Sequence, residues 1–261
     1  MTINYLENLI ALSLGNLRPA VFASFLKKLV FPERRIFKSP NGEFWIDVAS
    51  SIGYQLLDKG VYESSMVQIL KRYLHPKSIF VDLGANEGYF SVIASQIVGE
   101  MGKVVAVEPQ SRLQPVIAKN LALNHCKNTI VLQVAVSDKR EDVVLHLSPD
   151  INSGSTSLVQ TTRYPIPKQE VAGLTLAEIF HEQGITTCDL LKVDIEGWEY
   201  EAIMGSPEIF ANHHVKAIAL ELHPHILAKR GLSEKTIVDF LDSCGYVLSP
   251  APNTVFVLPN N

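Results

Sequence analysis

Ile79-Phe80-Val81-Asp82-Leu83 is an apolar run broken by one acid, and it passes through Gly84-Ala85-Asn86-Glu87-Gly88 into a helical pattern that starts at Tyr89. Such a run is buried on both faces only inside a sheet that helices cover on both sides. The same grammar repeats downstream. Hydrophobic periodicity predicts strands at 78–83, 103–108, 130–134, 189–194 and 215–222, with helices at 89–98, 113–124, 174–183 and 233–243 among them. Alternation of this kind specifies an α/β fold with a mainly parallel sheet. The end of the chain departs from it. Gly245-Tyr246-Val247-Leu248 and Thr254-Val255-Phe256-Val257-Leu258 flank Ser249-Pro250-Ala251-Pro252-Asn253, which predicts two strands with a short connection and an antiparallel last pair.

Upstream, residues 4–31 read as two helices divided near Gly15 and Pro19. Phe22, Phe25, Leu26, Leu29 and Val30 recur there at helical spacing, as a face that packs on its own domain or one that meets a membrane surface or partner. Residues 34–48 read as a hairpin turning at Ser39-Pro40-Asn41-Gly42, and a helix follows from Ser64 to Tyr73. The expected organisation is an N-terminal helical and hairpin appendage over 1–53 and a main domain over 54–261.

The glycine-rich loop reads as a cofactor site, because glycine admits close backbone approach and the following helix offers free N–H groups. A second strand pattern, Val104-Val105-Ala106-Val107-Glu108-Pro109, ends in an acid about 20 residues after Gly88, the usual interval for a ribose-binding carboxylate. A dinucleotide needs glycine where its pyrophosphate meets the backbone, in the spacing G-x-G-x-x-G. Here Asn86 stands at that position, and Tyr89-Phe90-Ser91 offers no third glycine. Asp82 adds a carboxylate that repels a diphosphate and suits the ammonium group of S-adenosylmethionine. S-adenosylmethionine is therefore the expected cofactor, ahead of a nicotinamide dinucleotide or a turn that binds nothing.

Composition narrows the partners. A formal net charge of −4 does not advertise the basic surface that phosphate neutralisation requires, so no nucleic-acid partner is expected. Cys126, Cys188 and Cys244 are widely spaced and form no C-x-x-C pair, which indicates neither a zinc site nor a disulfide framework. The N-terminus lacks a basic secretory start, and Arg18, Lys27 and Lys28 interrupt its apolar content, so a cytoplasmic chain without a transmembrane segment is expected.

Four motifs, taken in order, resemble those of the FkbM family of S-adenosylmethionine-dependent methyltransferases: Val81-Asp82-Leu83-Gly84-Ala85-Asn86-Glu87-Gly88, Val107-Glu108-Pro109, Ala135-Val136-Ser137-Asp138 and Leu191-Lys192-Val193-Asp194-Ile195-Glu196-Gly197-Trp198-Glu199. Tyr62-Glu63 is similar to the family's lead-in to the first strand, which adds Glu63 to the cofactor set. The resemblance covers about residues 54–250 and implies a class I methyltransferase (Rossmann-like) fold, a seven-stranded sheet whose last strand is antiparallel. It implies O-methylation in secondary metabolism, with a small-molecule, peptide-derived or glycan acceptor. A carboxylate acceptor, a non-catalytic cofactor-binding module and a dinucleotide-dependent oxidoreductase remain as alternatives.

In an open sheet the ligand lies beyond the carboxyl ends of the strands, where strand order reverses. Asp82, Gly84, Asn86 and Gly88 are expected around the methionine end, Glu108 at the ribose, and Gln110 and Ala135 along the adenine, with Asp194 also among the cofactor-binding residues. Asp138 is either an adenine contact or a turn carboxylate. Lys192 shares a strand face with Asp194, which suits an ion pair or a cofactor contact. The catalytic candidates are His223, Glu196 and Glu221, with His223 as general base because an unperturbed imidazole titrates near neutrality. Asp194, Glu196 and Glu221 also offer hard oxygens to Mg²⁺, which is possible but not favoured. The polar stretch Asn152-Ser153-Gly154-Ser155-Thr156-Ser157, followed by Arg163-Tyr164-Pro165-Ile166-Pro167, reads as an acceptor-side lid, and Arg163 or His225 would orient an acidic acceptor.

Overall fold

The computed structural model describes residues 34–48, 50–148, 156, 167–250 and 255–259. The helices expected over 4–31 lie outside the described residues, as do Arg163 and most of the expected lid.

A hairpin opens the described chain, β1 (Arg35–Ser39) and β2 (Gly42–Ile46), followed by α1 (Ser51–Lys59) and α2 (Ser64–Tyr73). Then come β3 (Ile79–Leu83), α3 (Tyr89–Val98), β4 (Lys103–Val107), α4 (Gln114–Leu123) and β5 (Thr129–Leu132). A small excursion follows through β6 (Ala135–Val136), β7 (Glu141–His146) and β8 (Lys168–Leu174). The chain returns through α5 (Leu176–Glu182), β9 (Cys188–Val193), α6 (Glu199–Met204), α7 (Pro207–Ala211) and β10 (Val215–Leu220). It ends with α8 (Pro224–Lys229), α9 (Glu234–Ser243), β11 (Val247–Leu248) and β12 (Val255–Val257).

The main sheet has seven strands in the order β11-β12-β10-β9-β3-β4-β5. The five strands from β10 to β5 are parallel, whereas β12 runs antiparallel between β10 and β11. This is the class I methyltransferase topology. Strand order reverses beside β3, which pairs with β4 on one edge and with β9 on the other. The loops after β3, β4 and β9 therefore leave the sheet side by side, where an open α/β sheet forms its ligand crevice.

Period-two alternation divides the core between the faces. Val81, Leu83, Val105, Val193 and Ile218 pack with α5, α6 and α9, while Phe80, Val104, Leu190 and Ala217 pack with α2, α3 and α4. Helix α3 is apolar nearly all round and eight of its residues are buried, so it anchors the loop before it. The hairpin is fastened to this second layer: Trp45 N–H donates to Asn120 Oδ1 at 2.6 Å and Asn124 Nδ2 donates to Glu43 O at 2.7 Å. The division expected after residue 53 falls inside α1.

The three-stranded sheet β6-β8-β7 is absent from the sequence-based reading. Its buried side chains, Ala135, Val143, Leu145 and Val171, form a separate small cluster. Helices α1, α6, α7 and α8 were likewise not anticipated; the last three are only five or six residues long, too short to show a helical period. Among the described residues no helix is long and apolar enough to cross a membrane.

Candidate active site

The loops after β3, β4 and β9 enclose a pocket whose lining includes Gly84, Asn86, Glu108, Gln110, Ala135, Asp194 and Glu196. Six of the nine expected cofactor residues are therefore together. Asp82, Gly88 and Glu63 lie elsewhere, each for a physical reason. Asp82 is fully buried beneath the loop, where Oδ2 accepts from Ser91 Oγ at 2.6 Å and Oδ1 lies 3.6 Å from Lys192 Nζ. Gly88 caps α3 at φ +78°, with Ile117 packed where a side chain would go. Glu63 lines a neighbouring cleft with Met66, Lys192, Asp194 and Glu221. Asp194 borders both spaces.

Gly84 is required by the protein itself. At φ +81° a Cβ there would collide with the Asp194 carbonyl oxygen. The two loops touch because Asp194 N–H bonds to Leu83 O at 3.2 Å, extending the β3–β9 ladder past the strand ends. Asn86 takes φ +50°, a conformation that asparagine tolerates better than most residues.

Glu108 is buried, and both of its oxygens accept backbone N–H groups, from Asn86 at 2.8 Å and Gln110 at 3.0 Å. Burial raises its pKa to about 7 against these two bonds. Each carboxylate oxygen retains a second lone pair for a hydroxyl donor. Gln110 Oε1 accepts from Arg112 and from Thr156 Oγ1, the latter at 3.0 Å, and Thr156 itself lines the pocket. Thr156, a described residue of the expected lid, thus stands beside Gln110. Asp138 is exposed, with its backbone against Gly205, and does not border the pocket.

Lys192 is buried under the same loop, where it pairs with Asp194 Oδ2 at 3.1 Å and donates to Gly84 O at 3.3 Å. Burial alone would lower its pKa, but the charges of Asp194 and Asp82 outweigh burial and hold the ammonium above the usual lysine range. The expected ion pair is present.

His223 sits between two carboxylates. Nδ1 is 2.9 Å from Glu199 Oε1, and Nε2 is 3.4 Å from Glu196 Oε2. Burial disfavours the imidazolium, yet the hydrogen bond and charge of Glu199, with the charge of Glu196, raise the pKa to about 9. His223 is therefore charged at neutral pH, which removes the reason for choosing it as the general base. Glu196 is the group poised near neutrality: burial raises its pKa to about 7, opposed by His223 and reinforced by Asp194. Glu221 lies in the adjoining cleft, its pKa raised by burial and then by Asp194 and Glu63. His225 is exposed.

Trp198 and Glu199 belong to a recognised motif, but sequence reading gave neither a role. Trp198 lines the pocket, and its Nε1 has no hydrogen-bond partner among the described residues. Glu199 is completely buried and accepts from Gly197 N–H at 2.8 Å as well as contacting His223. Ile195 of the last motif and Thr156 of the expected lid also line the pocket, and Val134 and Leu145 complete walls that no motif marks. A buried carboxylate with free lone pairs, a glycine at the close approach of two loops and an unpartnered indole donor are compatible with an adenosyl cofactor. Asp194, Glu196 and His223 each present one potential metal-ligand atom, all within 4.8 Å of one another.

Residues 82–248 match the family model described as the Methyltransferase FkbM domain, which is more than half of the chain. The methyltransferase sdnD of Sordaria araneosa is 27% identical over 188 residues, covering 61% of this chain and 71% of its own length. Among solved structures, the methyltransferase FkbM of Methylobacillus flagellatus KT aligns at 15% identity with a TM-score of 0.42, over 77% of this chain and 49% of its own. This chain thus spans about half the length of that structure. Aeropyrum pernix fibrillarin with natively bound S-adenosyl-L-methionine aligns at 15% identity with a TM-score of 0.39, over 85% of this chain and 81% of its own.

Proposed function

The chain belongs to the FkbM methyltransferase family, and from that premise we propose that it moves the methyl group of S-adenosylmethionine to a hydroxyl oxygen of a small-molecule, peptide-derived or glycan acceptor in secondary metabolism. The observation that carries the choice of oxygen is the chain Glu196–His223–Glu199, which ends in a carboxylate with a pKa of about 7 at the pocket wall.

Bound in this pocket, S-adenosylmethionine supplies a methyl group already activated by its sulfonium, so no covalent enzyme intermediate is needed. The protein's part is to hold, orient and remove a proton. Glu108 accepts the ribose hydroxyls with a carboxylate fixed by Asn86 and Gln110. Lys192 ties Asp194 and the Gly84 carbonyl together from below, which fixes the loops on which the acceptor rests. Glu196 accepts the hydroxyl proton. His223, held charged by Glu199, keeps enough of Glu196 ionised at neutral pH to do so.

A hydroxyl suits this site better than a carboxylate. Glu63, Asp194 and Glu221 outnumber Lys192 in the adjoining cleft, and Lys192 is already paired with Asp194, so a further anion is disfavoured there. Proton handling also suits Asp194, Glu196 and His223 better than Mg²⁺, since Mg²⁺ prefers an all-oxygen shell and the two ring nitrogens of His223 already engage Glu196 and Glu199. A chelator is therefore expected to leave turnover unchanged. A cytoplasmic setting is supported by three free cysteines, as a reducing compartment keeps them.

The test is an acceptor screen by mass spectrometry with S-adenosylmethionine, comparing hydroxylated compounds with carboxylic acids. Gain of one methyl group on a hydroxyl, with release of S-adenosylhomocysteine, is the expected result. Gain on carboxylates alone would replace the hydroxyl reading.

A further inference from the structure

The turn after β9 takes a shape that few sequences tolerate. Glu196 and Gly197 have φ of +52° and +92° in succession, and the first of them is not glycine. Such a turn persists only where its surroundings over-determine it. From the inside, Glu199 accepts the Gly197 N–H. From the outside, α8 presses on it: Ile226 occupies the space that a Gly197 side chain would need.

Arg230, just beyond α8, completes the grip. Its Nη1 donates to Gly197 O at 2.6 Å and to Glu201 Oε2 at 3.0 Å, and its Nη2 pairs with Glu201 Oε1. Its guanidinium carbon lies 3.9 Å from the ring centroid of Trp198, the residue that walls the pocket. One side chain thus holds the peptide carbonyl of the turn, an acid of α6 and the face of the indole. Arg230 itself does not line the pocket, and it falls in none of the motifs.

We infer that Arg230 is a positioning residue for the cofactor pocket, acting through Trp198 and Gly197 to fix the indole wall and the Glu196 carboxylate. Arginine is suited to this task because its planar fork reaches a carboxylate with two nitrogens while its face stacks on an aromatic ring; lysine can do neither together. The inference rests on reading the pocket as the S-adenosylmethionine site.

The chain has two tryptophans, so Trp45→Phe leaves Trp198 as the sole indole. Trp45 bonds Asn120 and Arg34 through its backbone, and those bonds survive the change; phenylalanine also keeps an aromatic face toward the Arg34 guanidinium, which lies 5.7 Å from the Trp45 ring centroid. In this background S-adenosylhomocysteine is titrated by calorimetry and by Trp198 fluorescence. The unchanged Arg230 protein is expected to bind with a shift in emission. Arg230→Ala is expected to red-shift the unliganded emission, increase acrylamide quenching and raise the Kd about tenfold. Arg230→Lys, which keeps the charge, is expected to show the same spectral change and a Kd raised by about fivefold. Unaltered emission and affinity in Arg230→Lys overturn the inference even if Arg230→Ala does not fold. Failure of the Trp45→Phe protein and the unsubstituted protein alike to bind overturns the pocket assignment instead, and this inference with it.

Discussion

The Glu108 carboxylate accepts the backbone N–H of Asn86 at 2.8 Å, which joins the tip of the glycine-rich loop to the end of the neighbouring strand. A ligand ribose would therefore meet an acid whose direction is set before binding, by the loop that carries the rest of the site. Preorganisation of this kind leaves less ordering to be done when the ligand arrives.

Because burial raises the Glu108 pKa to about 7 and hydroxyl donors favour its ionised form, ligand affinity depends on pH. S-adenosylhomocysteine is expected to bind with constant affinity above about pH 8 and more weakly as pH falls through about 7. Glu108→Gln should weaken binding about tenfold at the upper end and flatten this acid limb. Calorimetry across the pH range checks both.

Turnover on the acceptor found by the screen is expected to rise with ionisation of Glu196 through about pH 7. Glu196→Gln should lower kcat by about a hundredfold, with S-adenosylhomocysteine affinity little altered. His223→Gln removes the positive charge that lowers the Glu196 pKa, so the acid limb should move to higher pH. A limb that stays in place in that variant would rule out the coupling.

Stability should carry the signature of His223. Its folded pKa, about 9, lies above the ordinary value, so its contribution is complete below about pH 6.5 and is lost as pH rises through about 9. The thermal midpoint is expected to fall over that window, and His223→Gln should reduce the slope while lowering the midpoint overall, since Glu199 then keeps the Gly197 N–H but is buried without its cation.

Lys192→Met leaves Asp82 buried without its cation and is expected to cost about 3 kcal/mol in urea unfolding. Adding Asp82→Asn should recover part of that loss, because the uncompensated charge is gone. Equal and additive losses would mean that the two groups do not interact.

Gly84→Ala should be more damaging than an ordinary loop substitution. It places a Cβ against the Asp194 carbonyl at a residue with φ +81°. A lower unfolding midpoint together with lost ligand binding is expected, whereas Gly60→Ala, with open space around it, should pay only the positive-φ strain.

Much of this was legible in the chain. The parallel strands announce themselves because both their faces are buried, as Phe80-Val81 and Val104-Val105 show. The glycine-rich loop and Glu108 were legible because their spacing carries a mechanism. The strands β6 to β8 were harder, since β6 has two residues and β8 mixes exposed and buried positions. Asp82 was placed at the ligand because sequence spacing cannot distinguish a side chain above the loop from one beneath it. The sequence leaves His223 with an unperturbed imidazole for a related reason: its partners, Glu196 and Glu199, are close only in space. Arg230 gave no signal, because a residue that acts by stacking on another has no spacing of its own.

Calorimetric titration of the protein with S-adenosylhomocysteine, alongside NAD and Glu108→Ala, bears most directly on the site. Saturable binding of S-adenosylhomocysteine, no heat from NAD and a sharp loss in Glu108→Ala are the expected results. No binding of S-adenosylhomocysteine, or saturable binding of NAD that Glu108→Ala abolishes, would contradict the assignment of this pocket.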